Sequence, residues 1–323
     1  MVASTGVTGV SLEDVRAAAA RISPYVVRTP IERSAYLSER CGAEVWLKFE
    51  CFQLTGSFKL RGALNALLQS DAEHVITVSA GNHGLGVARA ARVLGKRATV
   101  IVPETASPAK VEALQASGAE LILHGATYDD AEAFGRAQAT QRNIPFVSPY
   151  NDPTVIAGGG TIAVEILEDL PQTSSIVVPV GGGGLSSGIG LAAHRLNPRV
   201  NVIGAQSIAS PALHAALEVG RPVQVHVHDS LADGLAGNLE QGSITFELVQ
   251  RYVEKIVLVA EGDIAHAMRS LLGREHVLVE GSAAVGVAAL EVRKIVPVAP
   301  TVVILSGRNV AAAVLQQYVF SHG

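Results

Sequence analysis

The segment Ser175-Ile-Val-Val-Pro-Val-Gly-Gly-Gly-Gly-Leu-Ser-Ser-Gly188 joins an apolar run to four consecutive glycines and then to the start of a helical pattern. Residues 175–180 are apolar on both faces, which indicates a strand covered by helices on each side. Gly181 to Gly184 carry no side chains, so their N–H groups can face an anion at the positive end of the following helix. Because four adjacent glycines carry a high entropic cost, this placement predicts a phosphate site rather than an ordinary turn.

The same alternation of strand and helix patterns continues along most of the chain. Apolar runs typical of strands lie at 44–49, 75–79, 98–102, 120–123, 175–180, 200–205, 255–260 and 301–305. Apolar residues at helical spacing lie at 11–21, 57–68, 85–94, 108–117, 126–141, 154–170, 185–194, 263–272 and 282–292. This alternation predicts an α/β fold with open, mainly parallel, twisted sheets flanked by helices. Breaks near 71–74 and 148–153 predict a large domain, 1–73 and 152–323, and a small domain, 74–151.

Composition excludes several classes of function. The chain has 323 residues, is 48% hydrophobic and has a net charge of -4, so it can bury a large core but offers no basic surface to nucleic acid. Cys41 and Cys51 stand in no metal-binding or redox spacing, which fits a reducing compartment. The N-terminus has no basic residue before Arg16 and no apolar core, and the uncharged stretch 176–193 contains Pro179 and glycines. We therefore expect a soluble cytoplasmic protein without a membrane span.

Lys59 occupies an unusual place for an ammonium group. In Thr55-Gly-Ser-Phe-Lys-Leu-Arg-Gly-Ala63 it lies in the first turn of a predicted helix, at the flank of a leucine stripe. The helix dipole and partial burial both disfavour a cation there and would favour the neutral, nucleophilic amine. A surface lysine that extends past the leucines into solvent is the alternative.

Two further loops follow predicted strands. Ser79-Ala-Gly-Asn-His-Gly84 opens a helix and offers N–H groups and the Asn82 amide to a carboxylate. A lone histidine is more often structural than catalytic, so we assign His83 no proton transfer. Ser306-Gly-Arg-Asn309 follows the last buried strand, where a hydroxyl could meet a ring nitrogen, although such turns are common.

Two nucleotide motifs are excluded on sequence. No Lys-Ser or Lys-Thr pair follows the glycines, as a P-loop requires. A G-x-G-x-x-A match at Gly158, Gly160 and Ala163 follows no clear strand, and no acidic residue closes the strand 175–180. A dinucleotide-dependent oxidoreductase is therefore a poor alternative.

Taken together and in this order, these segments resemble the threonine dehydratase and serine racemase group of pyridoxal-phosphate enzymes. This is the β-family, or fold type II, with a tryptophan synthase β-like fold. The resemblance covers about Pro30 to Asn309, and its segments are TGSFKLRGA, SAGNHGLGVA, PVGGGGLSSG, ADGLAG, EGSAAVGVAAL and LSGRN. A lysine in SFK together with a tetraglycine loop is a specific pair.

The resemblance implies that Lys59 binds pyridoxal 5′-phosphate covalently and then takes the Cα proton of a 3-hydroxy amino acid. Loss of water then leads to a 2-oxo acid and ammonia, as in a threonine or serine dehydratase. The expected cofactor contacts are Phe58, Lys59, Asn82, Gly181, Gly182, Gly183, Gly184, Gly234 and Ser306. The expected substrate contacts are Ser79, Ala80, Gly81, Asn82, His83 and Arg308.

The resemblance also implies what these contacts do. Phe58 and Gly234 flank the pyridine ring, Asn82 hydrogen-bonds its 3′-oxygen, and Ser306 faces its nitrogen. A neutral hydroxyl cannot stabilise a protonated ring as a carboxylate would, which favours β-elimination over transamination. The large domain is expected to hold the cofactor and the small domain the substrate, in a homodimer.

Three positions depart from the group's pattern. Racemases of this group carry a serine where this chain has Ala80, so we expect weak or absent racemase activity. Gln206 stands where many relatives bind a divalent cation with a glutamate, so no metal is expected at that position. Arg308 replaces a glycine and could contact an acidic substrate group or serve packing. The chain ends without room for the regulatory domain of biosynthetic threonine dehydratases, which favours a catabolic or specialised type.

Three alternatives remain open from the sequence. Within the same fold, the chain could be a serine racemase or a β-replacement synthase, and outside enzymes it could be a pyridoxal-phosphate binding or carrier protein. The intact Ser57-Phe-Lys59 segment and Ser306 favour an active enzyme.

Overall fold

Two sheets organise the computed structural model, which describes residues 9–320. Six strands lie in the order β1-β2-β9-β6-β7-β8, and three more in the order β3-β4-β5. Every pairing is parallel except that of β1 with β2. The strands are β1 Ile31–Arg33, β2 Val45–Lys48, β3 His74–Val78, β4 Arg97–Val102, β5 Glu120–Leu123, β6 Ser175–Pro179, β7 Asn201–Ser207, β8 Lys255–Val259 and β9 Thr301–Ile304. The predicted α/β fold with two mainly parallel sheets is confirmed.

Helices connect most of these strands. They are α1 Leu12–Ile22, α2 Ala35–Cys41, α3 Lys59–Leu68, α4 Asn82–Val93, α5 Pro108–Ala116, α6 Tyr128–Arg142, α7 Pro153–Asp169, α8 Gly184–Leu196, α9 Ala212–Val219, α10 Thr245–Tyr252, α11 Glu261–Arg274, α12 Gly281–Glu291 and α13 Ala312–Leu315. Short 3₁₀ turns lie at Glu50–Phe52 and Asp233–Leu235, and a π-helical turn at Gln316–Phe320. No helix within residues 9–320 has both the length and the apolarity needed to cross a bilayer.

Local sequence explains where several helices begin. Ser11 and Thr127 form capping boxes with the acidic residue three positions later, at the start of α1 and α6. Asp152 accepts hydrogen bonds from the first turn of α7, and Pro153 takes the first helical position. These side chains satisfy N–H groups that the helices themselves leave without acceptors.

The eight predicted strands and nine predicted helices all occur in the structure, with ends that differ by a few residues. The sequence pattern missed β1, α2, α9, α10 and α13. Each of these five elements spans eight residues or fewer, so too few positions repeat for a period to emerge.

The central strand β6 is buried on both faces, as its sequence predicts. All five of its residues are buried. Ile176 and Val178 pack in a cluster with apolar residues of α7 and α8, whereas Val177 packs with α12 on the opposite face. Helices therefore cover the sheet on both sides and leave its carboxyl edge as the free edge for a ligand.

Glycines allow α3, α7 and α8 to approach one another closely. A Cβ on Gly158 would lie 2.7 Å from the carbonyl oxygen of Arg61 in α3. A Cβ on Gly160 would lie 2.8 Å from the carbonyl oxygen of Gly188 in α8. The G-x-G-x-x-A match thus lies inside α7, where its glycines serve helix packing.

A cluster of four charges, three of them fully buried, lies beneath α3. Arg61 forms ion pairs with Glu50 at 2.8 Å and with Glu165 at 2.7 Å, and Lys48 pairs with Glu165 at 2.6 Å. Lys48, Glu50 and Arg61 are each 0% exposed. The two positive and two negative groups balance, so each charge has an oppositely charged partner in place of water.

The three-stranded sheet lies within the predicted small domain, 74–151, and the six-stranded sheet lies in the predicted large domain. Phe146 pairs with Ile76 of β3 through an isolated bridge, which attaches the end of the small segment to its sheet. The boundary between the two domains stays a prediction. Residues 1–8 and 321–323 of the predicted large domain lie outside the described residues.

Candidate active site

The candidate site lies at the carboxyl ends of strands from both sheets. β6 leads into the four glycines, β9 leads into Ser306, and β3 leads into Ser79-Ala80-Gly81. The amino ends of α3, α4, α8 and α12 follow or face these loops. Parallel strands with helical connections bring such ends to one edge, where N–H groups and helix dipoles favour an anionic ligand.

The glycine loop is crowded where side chains would stand and unpaired at its backbone. A Cβ on Gly181 would lie 2.9 Å from Leu235 Cα, and one on Gly182 would lie 2.6 Å from the Tyr150 ring. Gly183 has a φ of 87°, a left-handed conformation that favours glycine. The N–H groups of Gly181 to Gly184 donate to no acceptor among residues 9–320. These donors are free to bind an anion.

Lys59 is the first residue of α3, and its partly exposed side chain enters this site. Its Nζ donates to the carbonyl oxygen of Pro149 at 2.7 Å and lies 5.3 Å from the Phe58 ring centroid. No carboxylate in the described part of the chain pairs with it. Desolvation lowers the pKa of Lys59 to about 8, although the nearby Glu280 favours the charged form. The neutral, nucleophilic amine is therefore accessible near neutral pH.

The loop after β3 leads to two side chains with different surroundings, Asn82 and His83. Asn82 is the first residue of α4, and its Nδ2 donates to Glu280 Oε1 at 2.7 Å. His83 is 2% exposed, and its Nε2 lies 3.1 Å from the carbonyl oxygen of Val147, which can only accept. Burial, followed by the charge of Lys59, lowers the pKa of His83 to about 3. His83 is thus neutral, with its proton held on Nε2, and it is unsuited to proton transfer.

Ser79, Ala80 and Gly81 complete this loop. The Gly81 N–H donates to Ser79 Oγ at 3.2 Å, which tightens the turn before α4. Ala80 packs against the apolar cluster of Val100, Val102 and Leu114. Position 80 therefore has no hydroxyl, and a racemase would need an acid there.

The site is also bordered by Ser306, Gly234 and Gly307. The Phe58 N–H donates to the Ser306 carbonyl oxygen at 3.1 Å, which joins the segment carrying Lys59 to the end of β9. A Cβ on Gly234 would lie 2.9 Å from Ser282 Oγ, and one on Gly307 would lie 2.5 Å from Glu280 Oε1. Glycine at these two positions therefore leaves room for the Ser282 hydroxyl and the Glu280 carboxyl.

Contacts thus bring most predicted site residues together in a ring. Lys59 contacts Pro149, and Tyr150 packs on the glycine loop. That loop packs on Leu235, beside Gly234, and Glu280 and Asn82 complete the ring. Arg308 stands apart, because its exposed guanidinium lies 5.5 Å from the ring centroid of Phe52. Its predicted substrate contact stays a prediction.

The sequence reasoning missed Glu280, Tyr150 and Asn309. Glu280 lies in the segment EGSAAVG, where an acidic residue before a helix is typical of any helix N-terminus. Its burial, 6% exposed, could not be seen in the sequence. An acidic residue directly before an apolar helix was the available signal.

Gln206 lies in β7 and is 1% exposed. Its Oε1 accepts from the His214 N–H at 3.1 Å, so that oxygen holds the start of α9. No group of three or more metal-ligating side chains occurs within residues 9–320. The expectation about metal at Gln206 stays a prediction.

These residues fit pyridoxal 5′-phosphate. The unpaired glycine N–H groups suit a phosphate, and a reachable amine of lowered pKa suits an aldehyde. Ser306 Oγ forms no hydrogen bond to a described residue and is available to a ring nitrogen. Covalent attachment at Lys59 together with phosphate binding at Gly181 to Gly184 would hold the group at both ends.

Comparison with known proteins supports this fit. A family model described as "Pyridoxal-phosphate dependent enzyme" matches residues 22–307. An L-threonine ammonia-lyase of Thermotoga maritima is 44% identical over 93% of this chain and 76% of its own length. A catabolic L-threonine dehydratase of Escherichia coli K12 is 40% identical over 93% of both chains. The solved structure of maize serine racemase superposes with a TM-score of 0.90, at 31% identity, over 97% of this chain and 98% of that one.

The resemblance noted in the sequence is therefore confirmed, and so are the fold type and the expected cofactor. The matched residues 22–307 include Lys59, the glycine loop and Ser306. The chain belongs to the family of pyridoxal-phosphate dependent enzymes.

Proposed function

We propose that the chain is an ammonia-lyase that eliminates water from a 3-hydroxy amino acid and, after a water molecule hydrolyses the product, releases ammonia and a 2-oxo acid. The observation that carries this proposal is the placement of Lys59, an amine of lowered pKa, in one site with the unpaired glycine N–H groups. The relatives named L-threonine ammonia-lyase and L-threonine dehydratase support the same reaction class. Bound pyridoxal phosphate supplies an aldehyde for amino groups and a conjugated ring that accepts electrons from Cα.

Lys59 has two tasks in this proposal. As a neutral amine it would hold pyridoxal phosphate through the aldehyde of the cofactor. When the substrate amine occupies that place, the Lys59 amine would be free to take the Cα proton as general base. Its pKa of about 8 leaves about a tenth of the amine neutral at pH 7, and both tasks require that neutral form.

The remaining residues position the reactants. Gly181 to Gly184 would hold the phosphate with backbone N–H groups at the start of α8. The first N–H groups of α4, together with Ser79, would receive the substrate carboxylate. The Ser306 hydroxyl would face the ring nitrogen without charging it, and Phe58 and Gly234 would border the ring.

Elimination is preferred to racemisation because of Ala80. A racemase needs an acid on the face of the substrate opposite the lysine, and alanine has no proton to give. Ala80 packs into an apolar cluster, so no other polar group replaces it at that position. Serine racemase and β-replacement synthase are the second candidates within the same fold.

Product analysis tests the proposal. The cofactor-loaded protein is incubated with threonine, serine, 3-hydroxyaspartate or phenylserine, without an added nucleophile. We expect equal amounts of ammonia and 2-oxo acid from at least one of them, at rates at least tenfold above enantiomer exchange. Faster exchange than elimination would instead support a racemase. A yellow protein without turnover would support a carrier.

We also propose that the protein is a cytoplasmic homodimer. Its two cysteines are free thiols, which suits a reducing compartment. Phe52 and Leu54, beside the site, are 40% and 54% exposed and would be covered by a second copy. Light scattering on the purified protein measures the mass, and a monomer would contradict this part.

A further inference from the structure

Glu280 is a buried carboxyl to which the proposed reaction assigns no task. It stands directly before α12, and its N–H donates to the Gly307 carbonyl oxygen at 3.1 Å. Its Oε1 accepts from Asn82 Nδ2 at 2.7 Å, and its Oε2 accepts from the Asn309 N–H at 3.1 Å. The carboxyl therefore links the end of β9 to the first residue of α4.

The orientation of the Asn82 amide follows from these contacts. Asn309 Nδ2 donates to the Thr55 carbonyl oxygen at 2.8 Å and to Asn82 Oδ1 at 2.6 Å. Because a carbonyl oxygen can only accept, the amide nitrogen of Asn309 must face Thr55. The Asn82 oxygen must then face Asn309, which turns the Asn82 nitrogen toward Glu280. One N–H of Asn82 is used by Glu280, and its second N–H remains for a ligand.

The surroundings of Glu280 keep this arrangement fixed. Gly307 has no side chain, and a Cβ there would lie 2.5 Å from Oε1 and 3.1 Å from Asn82 Nδ2. The charged or titratable groups that face the carboxyl are Asp233, Lys110, Lys59 and Cys51. Burial, followed by the charge of Asp233, raises the pKa of Glu280 to about 8. The neutral acid still accepts from Asn82, because its carbonyl oxygen keeps both lone pairs.

We propose that Glu280 is a positioning residue that, together with Asn309, aims the free N–H of Asn82 at the ring oxygen of the cofactor. This inference rests on the proposed cofactor contact of Asn82. Glu280 itself need not touch the cofactor, because its effect passes through the amide. An unsupported amide would rotate, so that its oxygen could face the ring oxygen and repel it.

A double-mutant cycle tests this role in the cofactor-loaded protein. The variants are Glu280→Leu, Asn82→Ala and the double variant, and the readouts are the cofactor Kd and its visible absorbance maximum. We expect Glu280→Leu to weaken cofactor binding about tenfold, as the loss of one well-placed hydrogen bond would. In the Asn82→Ala background we expect the same change to alter the Kd less than twofold.

Two further variants separate this role from a general structural one. Glu280→Gln keeps an acceptor for Asn82 and is expected to restore the Kd to within threefold of wild type, which also serves if Glu280→Leu fails to fold. Glu291→Gln is the matched control, because Glu291 ends the same helix, is equally 6% exposed and accepts from Tyr36. It should leave Kd and absorbance unchanged.

Additive effects of Glu280→Leu and Asn82→Ala would overturn the inference, and so would a Glu280→Gln protein as impaired as Glu280→Leu. Failure of the proposed function looks different. Borohydride reduction followed by mass spectrometry would then find no cofactor on Lys59 in the wild-type protein, or the loaded protein would release no ammonia.

Discussion

Two lysines, Lys48 and Lys59, make hydrogen bonds within the fold, but they differ in exposure and in their partners. Lys48 is 0% exposed and donates to Glu165 at 2.6 Å and to the Thr29 carbonyl oxygen at 2.7 Å. Lys59 donates to the Pro149 carbonyl oxygen at 2.7 Å and has no carboxylate partner among the described residues. Lys48 thus belongs to a buried ion pair, whereas desolvation of Lys59, without a carboxylate partner, brings its neutral form within reach.

The comparison also explains why both lysines occur close together. Arg61, two positions after Lys59, belongs to the same charge cluster as Lys48 and anchors α3 to Glu50 and Glu165. The cluster thus fixes the helix on whose first residue the reactive amine stands. Arg61 thus stabilises α3, and Lys59, two positions earlier in the same helix, carries the proposed reactive amine.

Replacing Lys59 should have the largest effect on turnover. Lys59→Ala is expected to lower kcat by at least about 10⁴-fold and to remove the covalent cofactor absorbance. The cofactor-free protein should lose no stability, because a desolvated amine without an ionised partner disappears. Turnover, visible spectra and urea unfolding measure these effects. Lys255→Ala, at an exposed lysine of β8, is the control, and retained turnover in Lys59→Ala would refute the assignment.

Replacing Lys48 should have the opposite pattern. Lys48→Met leaves two carboxylates facing Arg61 alone, so one buried negative charge is uncompensated. We expect the free energy of unfolding to fall by about 3 to 5 kcal/mol, while kcat per folded molecule stays within threefold. Urea unfolding measures the loss. Lys294→Met removes an exposed lysine that also donates to a carbonyl and should cost less than about 1 kcal/mol. A small loss for Lys48→Met would mean that the cluster does not stabilise the fold.

The pH dependence of lysine acylation should separate the two side chains directly. The pKa of Lys59 is lowered to about 8, so its neutral amine appears as the pH rises toward that value. Between pH 6 and pH 8 its neutral fraction should rise roughly fiftyfold in the cofactor-free protein. Brief acetic anhydride labelling with mass spectrometry should follow that rise, whereas Lys48 should stay unlabelled. A midpoint for Lys59 near that of an exposed lysine would contradict the lowered pKa.

The sequence predicted Lys59 as a reactive amine, which stays a prediction, and gave no signal of the ion pair of Lys48. Lys59 stands in a first helical turn beside leucines, which is a local signal, and the resemblance to the pyridoxal-phosphate enzymes favoured a reactive amine over a surface lysine. Lys48 and Arg61 share a partner, Glu165, that lies more than one hundred positions away, and this pairing cannot be recognised from the sequence around them. Glu280 was missed for the same reason, because its contact with Asn82 spans 198 positions.

A similar distinction applies to the fold. Strands such as β6 were predictable because a run of apolar residues suits burial on both faces. The edge strand β1 has three residues, Ile-Glu-Arg, and exists because Ile31 to Arg33 pair with residues 46–48 of β2. Pairing with a neighbour, rather than its own pattern, defines that strand.

The smallest expected effect comes from Thr161, a neutral side chain that hydrogen-bonds the charge cluster. Thr161 is 1% exposed, and its Oγ1 accepts from Arg61 at 3.2 Å and donates to the Gly158 carbonyl oxygen at 2.7 Å. Thr161→Val keeps the volume, and Arg61 keeps its bonds to both carboxylates. The free energy of unfolding should therefore fall by about 1 kcal/mol, as for one neutral acceptor.

Kinetics of the same variant decide whether the two lysine environments are separable. No hydrogen bond or ion pair joins Thr161 to Lys59. The kcat of Thr161→Val should therefore stay within twofold of wild type, and the pH midpoint of Lys59 labelling should stay within about 0.3 pH units. Thr173→Val is the matched control, because Thr173 is 3% exposed and donates to the Leu170 carbonyl oxygen at 2.7 Å, away from the cluster. A shift of the Lys59 midpoint in Thr161→Val but not in Thr173→Val would show that the charge cluster acts on the reactive amine through α3. The division between a structural and a reactive lysine would then be one of degree, because the paired charges would help to set the pKa of the unpaired amine.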